Sequence, residues 1–360
     1  MKKLIRITTV PLSLDKLLEG QLRWMREHYL ITAISSDATY LKRIGEREGV
    51  VTFTLEMTRK ITPFRDALAI VKLTYYFLKN KPDLVHSHTP KAGLVSMTAA
   101  FLARVPVRMH TVAGLPLLEA RGFKRLLLEW VDRLTYALAT HVYPNSKGLE
   151  QIMVHHRYCS SKKMKVLANG SSNGINTDYF SRASLTSDSI QQLQRDLTLS
   201  PNDFVFVFVG RLVADKGINE LVTAFDLLVQ SQNSLAERSV KLLLVGPIEP
   251  DLDPLQPSTL ELIASHPHIL SVGYQADVRP YLAIAQALVF PSYREGFPNV
   301  VMQAGAMELP IIATDINGCN EIILPGVNGL LIPTKDAVAL QNAMQLLLTD
   351  GAMYQLLKSN

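Results

Sequence analysis

The feature that most constrains the fold is a regular alternation of short apolar runs with longer stretches of helical periodicity. In the first half of the chain, the apolar runs predict strands at residues 4–10, 29–35, 83–86, 108–112 and 141–144. The stretches between them predict helices at residues 14–28, 67–79, 92–104 and 124–139. This alternation predicts a parallel sheet with helices packed on both of its faces.

The pattern breaks and then resumes in the second half. Residues 181–203 are rich in Ser, Asp and Gln, as expected near a domain boundary. Beyond them, strands are predicted at 204–209, 240–245, 269–272, 287–290 and 310–313, and helices at 217–230 and 300–307. The predicted fold class is therefore α/β, with two Rossmann-like, doubly wound domains over residues 1–190 and 191–360. Such sheets bind ligands at the carboxyl ends of their strands, so the site is expected in a cleft between the domains.

Charge is divided unequally between the two predicted domains. The net charge is +5, yet residues 1–190 hold 28 Lys and Arg against 15 Asp and Glu, while residues 191–360 hold 9 against 17. Apolar residues make up 48% of the chain, which is enough for buried cores, and charged residues make up 19%, which argues against a disordered protein. Two cysteines are too few for a disulfide scaffold or a cysteine-only zinc site, and they suit a reducing compartment.

The amino-terminal segment is basic and then apolar, as in a signal peptide. Arg6 interrupts it, however, and Asp15 and Lys16 follow before any longer apolar run. No run in the chain reaches the length that a spanning helix needs. The segment is therefore predicted to be a first strand, and the protein is expected in the cytoplasm.

The first segment that suggests chemistry follows the strand predicted at 204–209. Gly210 ends this strand, and Arg211 and Lys216 come just before the next helix. A guanidinium offers a planar fork of donors and an ammonium a compact charge, and a helix N-terminus adds partial positive charge. The residue types favour a diphosphate site and an ordinary turn with two solvated cations about equally.

A second such segment, residues 290–306, combines a strand end, a Gly/Pro turn and a helix start. The free amides of a helix start can hold sugar or phosphate oxygens. Glu295 precedes the turn, where a carboxylate accepts hydrogen bonds from sugar hydroxyls. Gln303 lies about one turn into the helix, roughly where an acidic group often holds ribose. A loop acid or a capping role is the alternative for Glu295, and the turn chemistry favours binding.

Polar residues interrupt the apolar pattern of the first half at three places. Gly20 lies within a helical stretch, which indicates either the close approach of a ligand or packing of the helix on the sheet. His86 and His88 follow a strand without an acidic or cysteine neighbour, so hydrogen-bonded loop histidines are predicted rather than a metal pair. His110 is predicted to be either a polar contact in the cleft or a buried, hydrogen-bonded histidine.

Taken together and in order, the short motifs of the chain resemble those of family 4 of the retaining glycosyltransferases. They cover nearly the whole chain, and residues 10–14 and 108–116 are most similar to the subset that builds capsule or O-antigen repeat units on a polyprenyl diphosphate. The motifs are Val85-His86-Ser87-His88, Pro144-Asn145-Ser146, Asn173-Gly174-Ile175-Asn176, Gly210-Arg211-Leu212, Lys216-Gly217, Glu295-Gly296-Phe297 and Gly326-Val327-Asn328-Gly329. The resemblance implies the two-domain GT-B fold and a hexosyltransferase.

The resemblance also implies roles for individual residues. Arg211 and Lys216 would bind the diphosphate of a nucleotide-sugar, UDP-linked rather than GDP-linked, and Glu295 would contact the sugar. These three and His110 are the catalytic residues expected. The donor-binding positions expected are Gly20, Gly210, Gly296, Phe297, Pro298, Asn299, Val300 and Gln303. No metal and no cofactor are expected beside the donor itself.

The mechanism implied is retention by front-face attack. The leaving diphosphate takes the acceptor proton, and no enzyme carboxylate forms the covalent intermediate of a retaining glycosidase. The protein then mainly positions groups and stabilises the charge of the leaving group.

Three departures from the family support an alternative, a degenerate, non-catalytic relative that binds nucleotide-sugars. Gln303 stands where the family has Glu, Ala113 where many relatives have His, and the chain stops at Asn360, so that a last helix of the relatives is absent or the sequence is a fragment. The retained cations and carboxylate favour the transferase. No G-x-G-x-x-G motif follows the first strand, which argues against an oxidoreductase or epimerase. Positive charge is not interleaved with aromatic residues, which argues against nucleic-acid binding.

The unequal division of charge then predicts which domain binds the donor and which binds the acceptor. The acidic domain would hold the donor, and the basic domain would meet a polyprenyl-diphosphate-linked or similar saccharide acceptor at an anionic membrane surface. The protein is thus expected to be peripheral on the inner face of the cell membrane. Residues 124–133 are the predicted docking helix, with a core-facing amphipathic helix as the alternative; Lys124, Arg125 and Arg133 alternate there with Leu126, Leu127, Leu128 and Trp130.

Overall fold

A computed structural model of the chain describes residues 1–58, 60–118, 120–231, 239–251 and 253–360. They form two compact units, Met1–Gly174 and Ile175–Asn360. The boundary therefore lies earlier than the predicted 190/191. The Ser-rich segment after it is anchored to the second unit, because Arg182 donates hydrogen bonds to the backbone oxygens of Ala283 (2.9 Å) and Met307 (3.1 Å).

The first unit is built on a six-stranded parallel sheet with spatial order β3-β2-β1-β4-β5-β6. Its strands are β1 (Lys2–Ile7), β2 (Tyr29–Ser35), β3 (Val51–Thr54), β4 (Leu84–Ser87), β5 (Val107–Val112) and β6 (His141–Pro144). Its helices are α1 (Pro11–Leu17), α2 (Gln21–Met25), α3 (Ala38–Glu48), α4 (Pro63–Asn80), α5 (Pro90–Leu102), α6 (Gly122–Leu138) and α7 (Lys147–His155).

Helices cover both faces of this first sheet. One buried cluster joins α1, α2 and α3 to β2 through Leu14, Leu22, Ile31 and Leu41. The other joins α4, α5, α6 and α7 to the opposite face and includes Leu73, Phe77, Val95, Tyr136 and Leu149. Burial on both faces explains why the strands are nearly continuous runs of apolar residues.

The second unit begins with α8 (Ser187–Asp196) and contains a second six-stranded parallel sheet, ordered β12-β11-β10-β7-β8-β9. Its strands are β7 (Phe204–Val209), β8 (Val240–Val245), β9 (Ile269–Ser271), β10 (Ala287–Phe290), β11 (Ile311–Thr314) and β12 (Gly329–Ile332). Its other helices are α9 (Ile218–Ser231), α10 (Pro257–Ser265), α11 (Arg279–Ile284), α12 (Asn299–Ala306), α13 (Cys319–Ile322), α14 (Ala337–Thr349) and α15 (Gly351–Ser359). Phe206, Phe208 and Phe225 are fully buried in its core.

The predicted α/β class with two doubly wound sheets is confirmed, and the largest local difference is at Gly20. Strands β2, β6, β7, β8 and β10 have the predicted bounds. The helix predicted over 14–28 is instead two helices, because Gly20 adopts a left-handed backbone (φ +73°) at the start of α2. No helix in the described ranges is both long and apolar enough to cross a membrane.

Candidate functional site

The two segments of the second unit that were predicted to bind a ligand lie side by side at one edge of its sheet. Strands β7 and β10 are parallel neighbours, and their carboxyl ends lead into residues 210–217 and 291–298 respectively. The carboxyl ends of neighbouring parallel strands lie at the same edge, which is where ligands of such sheets bind. Segments 70 or more residues apart in the chain therefore form one site, as their hydrogen bonds show.

Lys216 and Glu295 form the centre of this site. The Lys216 ammonium donates a hydrogen bond to Glu295 Oε1, and the Ser292 hydroxyl donates to the same oxygen at 2.9 Å. The side-chain amide of Asn317 donates to the Glu295 backbone oxygen. Glu295 is thus a charge-compensated carboxylate in a largely buried position, and it does not cap a helix.

The turn that carries Lys216 is held from both sides. Its Asp215 amide donates to Asp253 Oδ2 at 2.6 Å, and the Asp215 carboxylate accepts from Arg294 at 2.7 Å. Gly217 ends the turn with a left-handed backbone (φ +71°), and a Cβ there would collide with the carbonyl oxygen of Pro291. Close contact between the β7 and β10 loops therefore requires glycine at this position.

Arg211 lies between the ends of β7 and β8. Its Nη1 donates to Glu249 Oε2 at 3.0 Å, and both side chains remain partly exposed. The backbones of the two loops touch beside it, because a Cβ on Gly246 would collide with the carbonyl oxygen of Gly210. The site therefore presents two cations, each oriented by a carboxylate, which suits a diphosphate that offers several acceptor oxygens.

Helix α12 starts beside this centre. Pro298 precedes its first residue, Asn299, and proline offers no side-chain cap for the first amides of the helix. Gly296 packs so closely on the next loop that a Cβ on Gly318 would collide with its carbonyl oxygen. Gln303 lies one turn into α12 and is half-buried. The predicted donor-binding segment is therefore a helix start at the same sheet edge as Lys216.

A separate polar cluster lies at the carboxyl edge of the first sheet. Arg6 pairs in register with His86, and its guanidinium donates to Gln21 Oε1. His86 Nε2 lies 2.8 Å from the Thr111 hydroxyl, and the His86 and His88 ring centroids are 4.2 Å apart. Burial, reinforced by neighbouring positive charge, holds the pKa of both histidines well below the usual range, so both rings are neutral.

Neither of the hydrogen-bonded loop histidines predicted at 86 and 88 is found as predicted: His86 is hydrogen-bonded but lies within β4, whereas His88 follows the strand. His88 is 3% exposed, and neither of its ring nitrogens has a hydrogen-bond partner in the part of the chain that the structure describes. Burial also lowers the pKa of Arg6 to about 9. Within the described ranges, no group of three or more His, Cys, Asp or Glu side chains is arranged to hold a metal ion.

Of the two expectations for His110, the structure supports the buried core histidine. Its Nδ1 lies 2.8 Å from the Ser87 hydroxyl, and its ring packs beside Tyr136 beneath α5 and α6. Burial lowers its pKa to about 4. His110 and Thr111 are successive strand residues and face opposite sides of the sheet, so His110 is turned away from the cluster around His86.

Gly20 faces open space. A Cβ there would meet no described atom within 4 Å, so packing of the helix on the sheet does not account for this glycine. The residues on either side of Gly20 are hydrogen-bonded to Asn173. Gln21 Nε2 donates to Asn173 Oδ1 at 3.1 Å, and Asn173 Nδ2 donates to the Glu19 backbone oxygen at 2.9 Å. The turn at Gly20 is thereby held against the last loop of the first unit.

Sequence reasoning missed Glu249 and Asp253, which orient Arg211 and the Lys216 turn. Both follow β8, whose neighbour in the sheet is β7. The available signal was a predicted strand at 240–245 that is followed by Gly246 and then by three acidic residues, Glu249, Asp251 and Asp253. These acidic residues could not be assigned to the site from the sequence, because the order of the strands was not known.

Two family models match the two halves of the chain. The model described as "Glycosyl transferase 4-like domain" matches residues 19–170, and the one described as "Glycosyl transferases group 1" matches residues 203–350. The second match contains the whole Arg211–Lys216–Glu295 centre.

Two proteins with similar sequences are glycosyltransferases by name. A capsular polysaccharide biosynthesis glycosyltransferase, CapM of Staphylococcus aureus, is 30% identical over 360 residues, covering 100% of this chain and 91% of that protein. The UDP-Gal:alpha-D-GlcNAc-diphosphoundecaprenol alpha-1,3-galactosyltransferase of Escherichia coli is 27% identical over 86% of this chain and 77% of its own length.

Solved structures with the same fold include Anabaena Alr3699/HepE in complex with UDP and glucose. Its TM-score is 0.79 at 18% identity, with 100% of this chain and 93% of that chain covered. At this identity the likeness concerns the fold alone, and it confirms the predicted GT-B architecture of two Rossmann-like domains.

Proposed function

Because the chain belongs to the group 1 glycosyltransferases with a 4-like amino-terminal domain, we propose that it moves a sugar from a UDP-sugar to a lipid-linked saccharide, with retention of configuration. The proposed product belongs to a surface polysaccharide such as a capsule or O-antigen. The observation that carries the proposal is the contact of Lys216 with Glu295 at the carboxyl edge of the second sheet, where Arg211 follows the same strand, β7.

In the proposed reaction, Arg211 and Lys216 bind the diphosphate of the donor. Charge builds up on the diphosphate as its bond to the sugar C1 breaks, and oriented cations stabilise this charge more in the transition state than in the ground state. The acceptor hydroxyl attacks C1 from the face that the diphosphate leaves. Its proton passes to the departing phosphate oxygen, so that atoms and charge balance without an enzyme base.

Glu295 is proposed to orient the donor sugar rather than to attack it. A carboxylate nucleophile must be free to form a bond to C1, as in retaining glycosidases. Glu295 Oε1 is instead engaged by the Lys216 ammonium and the Ser292 hydroxyl. This pairing fits a carboxylate that orients the sugar, and the front-face attack itself is proposed from the resemblance to family 4. His110 has no part in the proposal, because it is packed beneath α5 and α6.

The donor positions follow from the same edge of the sheet. The amides of residues 297–300 at the start of α12 are proposed to hold sugar and phosphate oxygens, and Gln303 the ribose. Gly20, which faces open space in the first unit, is proposed to let the donor diphosphate approach the backbone. No metal or further cofactor is included in the proposal, which leaves the diphosphate to Arg211, Lys216 and the amides at the start of α12.

The acceptor proposal rests on relatives and on charge. The similar E. coli enzyme is named for an acceptor on diphosphoundecaprenol, which is an anionic lipid. The first unit of this chain is the basic one, with 27 Lys and Arg against 13 Asp and Glu. We therefore propose that this unit holds the acceptor and that the protein works at the inner face of the cell membrane.

The test is a panel of UDP- and GDP-sugars, read first by thermal shift and then by transfer to polyprenyl-diphosphate-linked saccharides. Binding to the folded state raises its stability, so at least one UDP-sugar is expected to raise the melting temperature. The same donor is expected to be hydrolysed slowly without acceptor and to give a product with retained configuration. If no nucleotide-sugar is bound or hydrolysed, the transferase proposal fails. If one is bound but never turned over, the protein is a non-catalytic relative.

A further inference from the structure

Helix α4 carries an apolar surface that the described protein leaves uncovered. Phe64 is 93% exposed, Val71 65% and Tyr75 68%, and Leu68 and Leu78 are exposed as well. Successive members of this set are three or four residues apart, so all five lie along one side of the helix. Exposed apolar stripes of this kind mark contacts with a partner or a membrane.

The stripe is not the side by which α4 packs. Ala69, Leu73 and Phe77 are buried in the core of the first unit, and their helical positions are opposite the stripe. The helix is therefore apolar on two sides, one facing the sheet and one facing outward. Packing of the unit accounts for the apolar residues on the inner side of α4, but it does not account for those on the outer side.

A track of positive charge runs beside the stripe. Arg65, Lys72 and Lys79 are exposed, and their spacing of seven residues places them along one line of the helix. No ion pair or hydrogen bond from these three side chains is found among the residues that the structure describes. The only acid on α4, Asp66, is held by Lys91 at 2.8 Å and does not neutralise the track.

We propose that the outer face of α4, the apolar stripe with its basic track, docks the protein on an anionic lipid bilayer. An amphipathic helix binds a bilayer by burying its apolar face below the headgroups while its cations meet anionic lipid. A second copy of this chain fits less well, because α4 offers no unpaired acid to match the basic track. The proposal deepens the proposed function, on which its purpose rests.

The direction of α4 suits this role. Strand β3 leads into α4 and α4 leads into β4, so the helix runs antiparallel to the strands and starts at their carboxyl edge. Phe64 lies in its first turn, and Lys91 ties that turn to the start of α5 through Asp66 and Thr62. The apolar stripe therefore begins at the carboxyl edge of the first sheet, the edge at which sheets of this kind bind ligands.

Helix α6, the docking helix expected from the sequence, is the weaker candidate. It does expose Phe123, Leu126 and Trp130. Of its three predicted docking cations, however, Arg133 is engaged by Glu129 and by the backbone oxygens of residues 156 and 157, and Arg125 is hydrogen-bonded to Tyr158, which leaves Lys124. The apolar stripe of α6 is also shorter than that of α4. Helix α6 covers the same face of the first sheet as α4, and we expect it to contribute less to the binding of the bilayer.

The experiment is co-sedimentation with vesicles of phosphatidylcholine, with and without an equal share of phosphatidylglycerol, at low and high salt. The wild type is expected to bind the anionic vesicles at least tenfold more strongly than the neutral ones. The triple variant Phe64→Ser, Val71→Ser, Tyr75→Ser is expected to lose at least tenfold in partitioning. The charge variant Arg65→Gln, Lys72→Gln, Lys79→Gln is expected to lose the dependence on phosphatidylglycerol and on salt.

Matched control variants distinguish docking through α4 from nonspecific hydrophobic binding to vesicles. The variant Tyr274→Ser, Leu324→Ser, Val338→Ser removes three comparably exposed apolar residues from the second unit and is expected to bind as the wild type does. The variant Phe123→Ser, Trp130→Ser on α6 is expected to lose less than the α4 variant. Unchanged melting temperatures show that each variant is folded.

Three results would overturn the proposal. They are wild-type binding that the α4 variants do not reduce, loss of binding in the α6 variant alone, and a wild-type dimer in light scattering that the serine triple converts to a monomer. Failure of the proposed function looks different. A wild type that binds anionic vesicles through α4 yet binds no nucleotide-sugar keeps the docking surface and removes the transferase.

Discussion

The two units of the protein use positive charge in opposite ways. The first unit holds 27 Lys and Arg against 13 Asp and Glu, and the second holds 10 against 19. In the basic unit, the cations of α4 point outward beside an apolar stripe. In the acidic unit, Arg211 and Lys216 are each held by a carboxylate. The proposed anion site thus has two cations oriented by carboxylates, whereas the proposed docking surface has cations that are exposed beside apolar side chains.

Carboxylates of the two units also differ. In the second unit, Glu249 and Glu295 are paired with site cations. In the first unit, Asp132 on α6 is 7% exposed, and no ion pair to it is found in the described part of the chain. Burial raises the pKa of Asp132 to about 7. The net charge of a unit thus says little about the environment of any one of its charged groups.

The largest effect is expected from the paired cation at the centre of the acidic unit. Lys216→Ala should lower kcat/KM by about 10³-fold, or roughly 4 kcal/mol, because charge on the leaving diphosphate loses an oriented partner. The control is Lys241→Ala in the same unit, whose ammonium donates to the Pro267 backbone oxygen at 3.5 Å. The measurement is steady-state sugar transfer. A loss of less than tenfold for Lys216→Ala would place the anion site elsewhere.

The next effect compares two left-handed glycines, one in each unit. Gly217→Ala should destabilise the protein by about 3 kcal/mol, because the new Cβ adds a collision with Pro291 to the backbone strain. Gly20→Ala should cost only about 1 kcal/mol, since its Cβ enters open space. Urea unfolding measures both. Equal losses would mean that the close approach of the β7 and β10 loops contributes nothing.

Asp132 predicts a dependence of stability on pH that exposed acids lack. Its folded pKa of about 7 lies above that of the unfolded chain, so the folded state keeps the proton and wild-type stability falls as pH rises from about 4 to 7. Asp132→Asn should therefore stabilise the protein by about 3 kcal/mol at pH 8 and change little at pH 4. The control is Asp178→Asn, a substitution at an exposed position. Equal effects of Asp132→Asn at both pH values would contradict the assignment.

The smallest effect is expected at Gln303 in the acidic unit. Gln303→Glu restores the charge that family 4 has at this position, and a charged acceptor binds ribose hydroxyls more strongly. Donor affinity should rise by about 1 kcal/mol, roughly five- to tenfold. Titration calorimetry with UDP measures it, with Gln191→Glu on the exposed face of α8 as the control. Weaker binding by Gln303→Glu would show that this glutamine does not face the ribose.

Sequence reasoning predicted the fold better than its details, for physical reasons. Apolar runs such as β7 and β8 are bounded by turn residues, so their limits are local and were predicted. The split of one helix at Gly20 depends on a left-handed backbone, and the placement of α8 depends on the bonds of Arg182 to distant backbone oxygens. Neither is visible in a local pattern.

The geometry of the candidate site was predictable only in part, for a similar reason. Arg211, Lys216 and Glu295 lie in recognisable segments, and the order of the strands places the β7 and β10 loops that carry them side by side. Glu249 orients Arg211 only because β8 is the neighbour of β7. The stripe on α4 has the same spacing that a buried face would have, so its exposure could not be distinguished from core packing before the helix was placed on the sheet.

Hydrogen–deuterium exchange of one protein sample, with UDP and separately with anionic vesicles, tests the division of labour most directly. UDP is predicted to slow exchange at residues 210–218 and 291–303 in the acidic unit and to leave residues 61–79 unchanged. Anionic vesicles are predicted to protect residues 61–79 of the basic unit and to leave the acidic site unchanged. Protection of α4 by UDP alone, or of residues 210–218 by vesicles alone, would contradict the account.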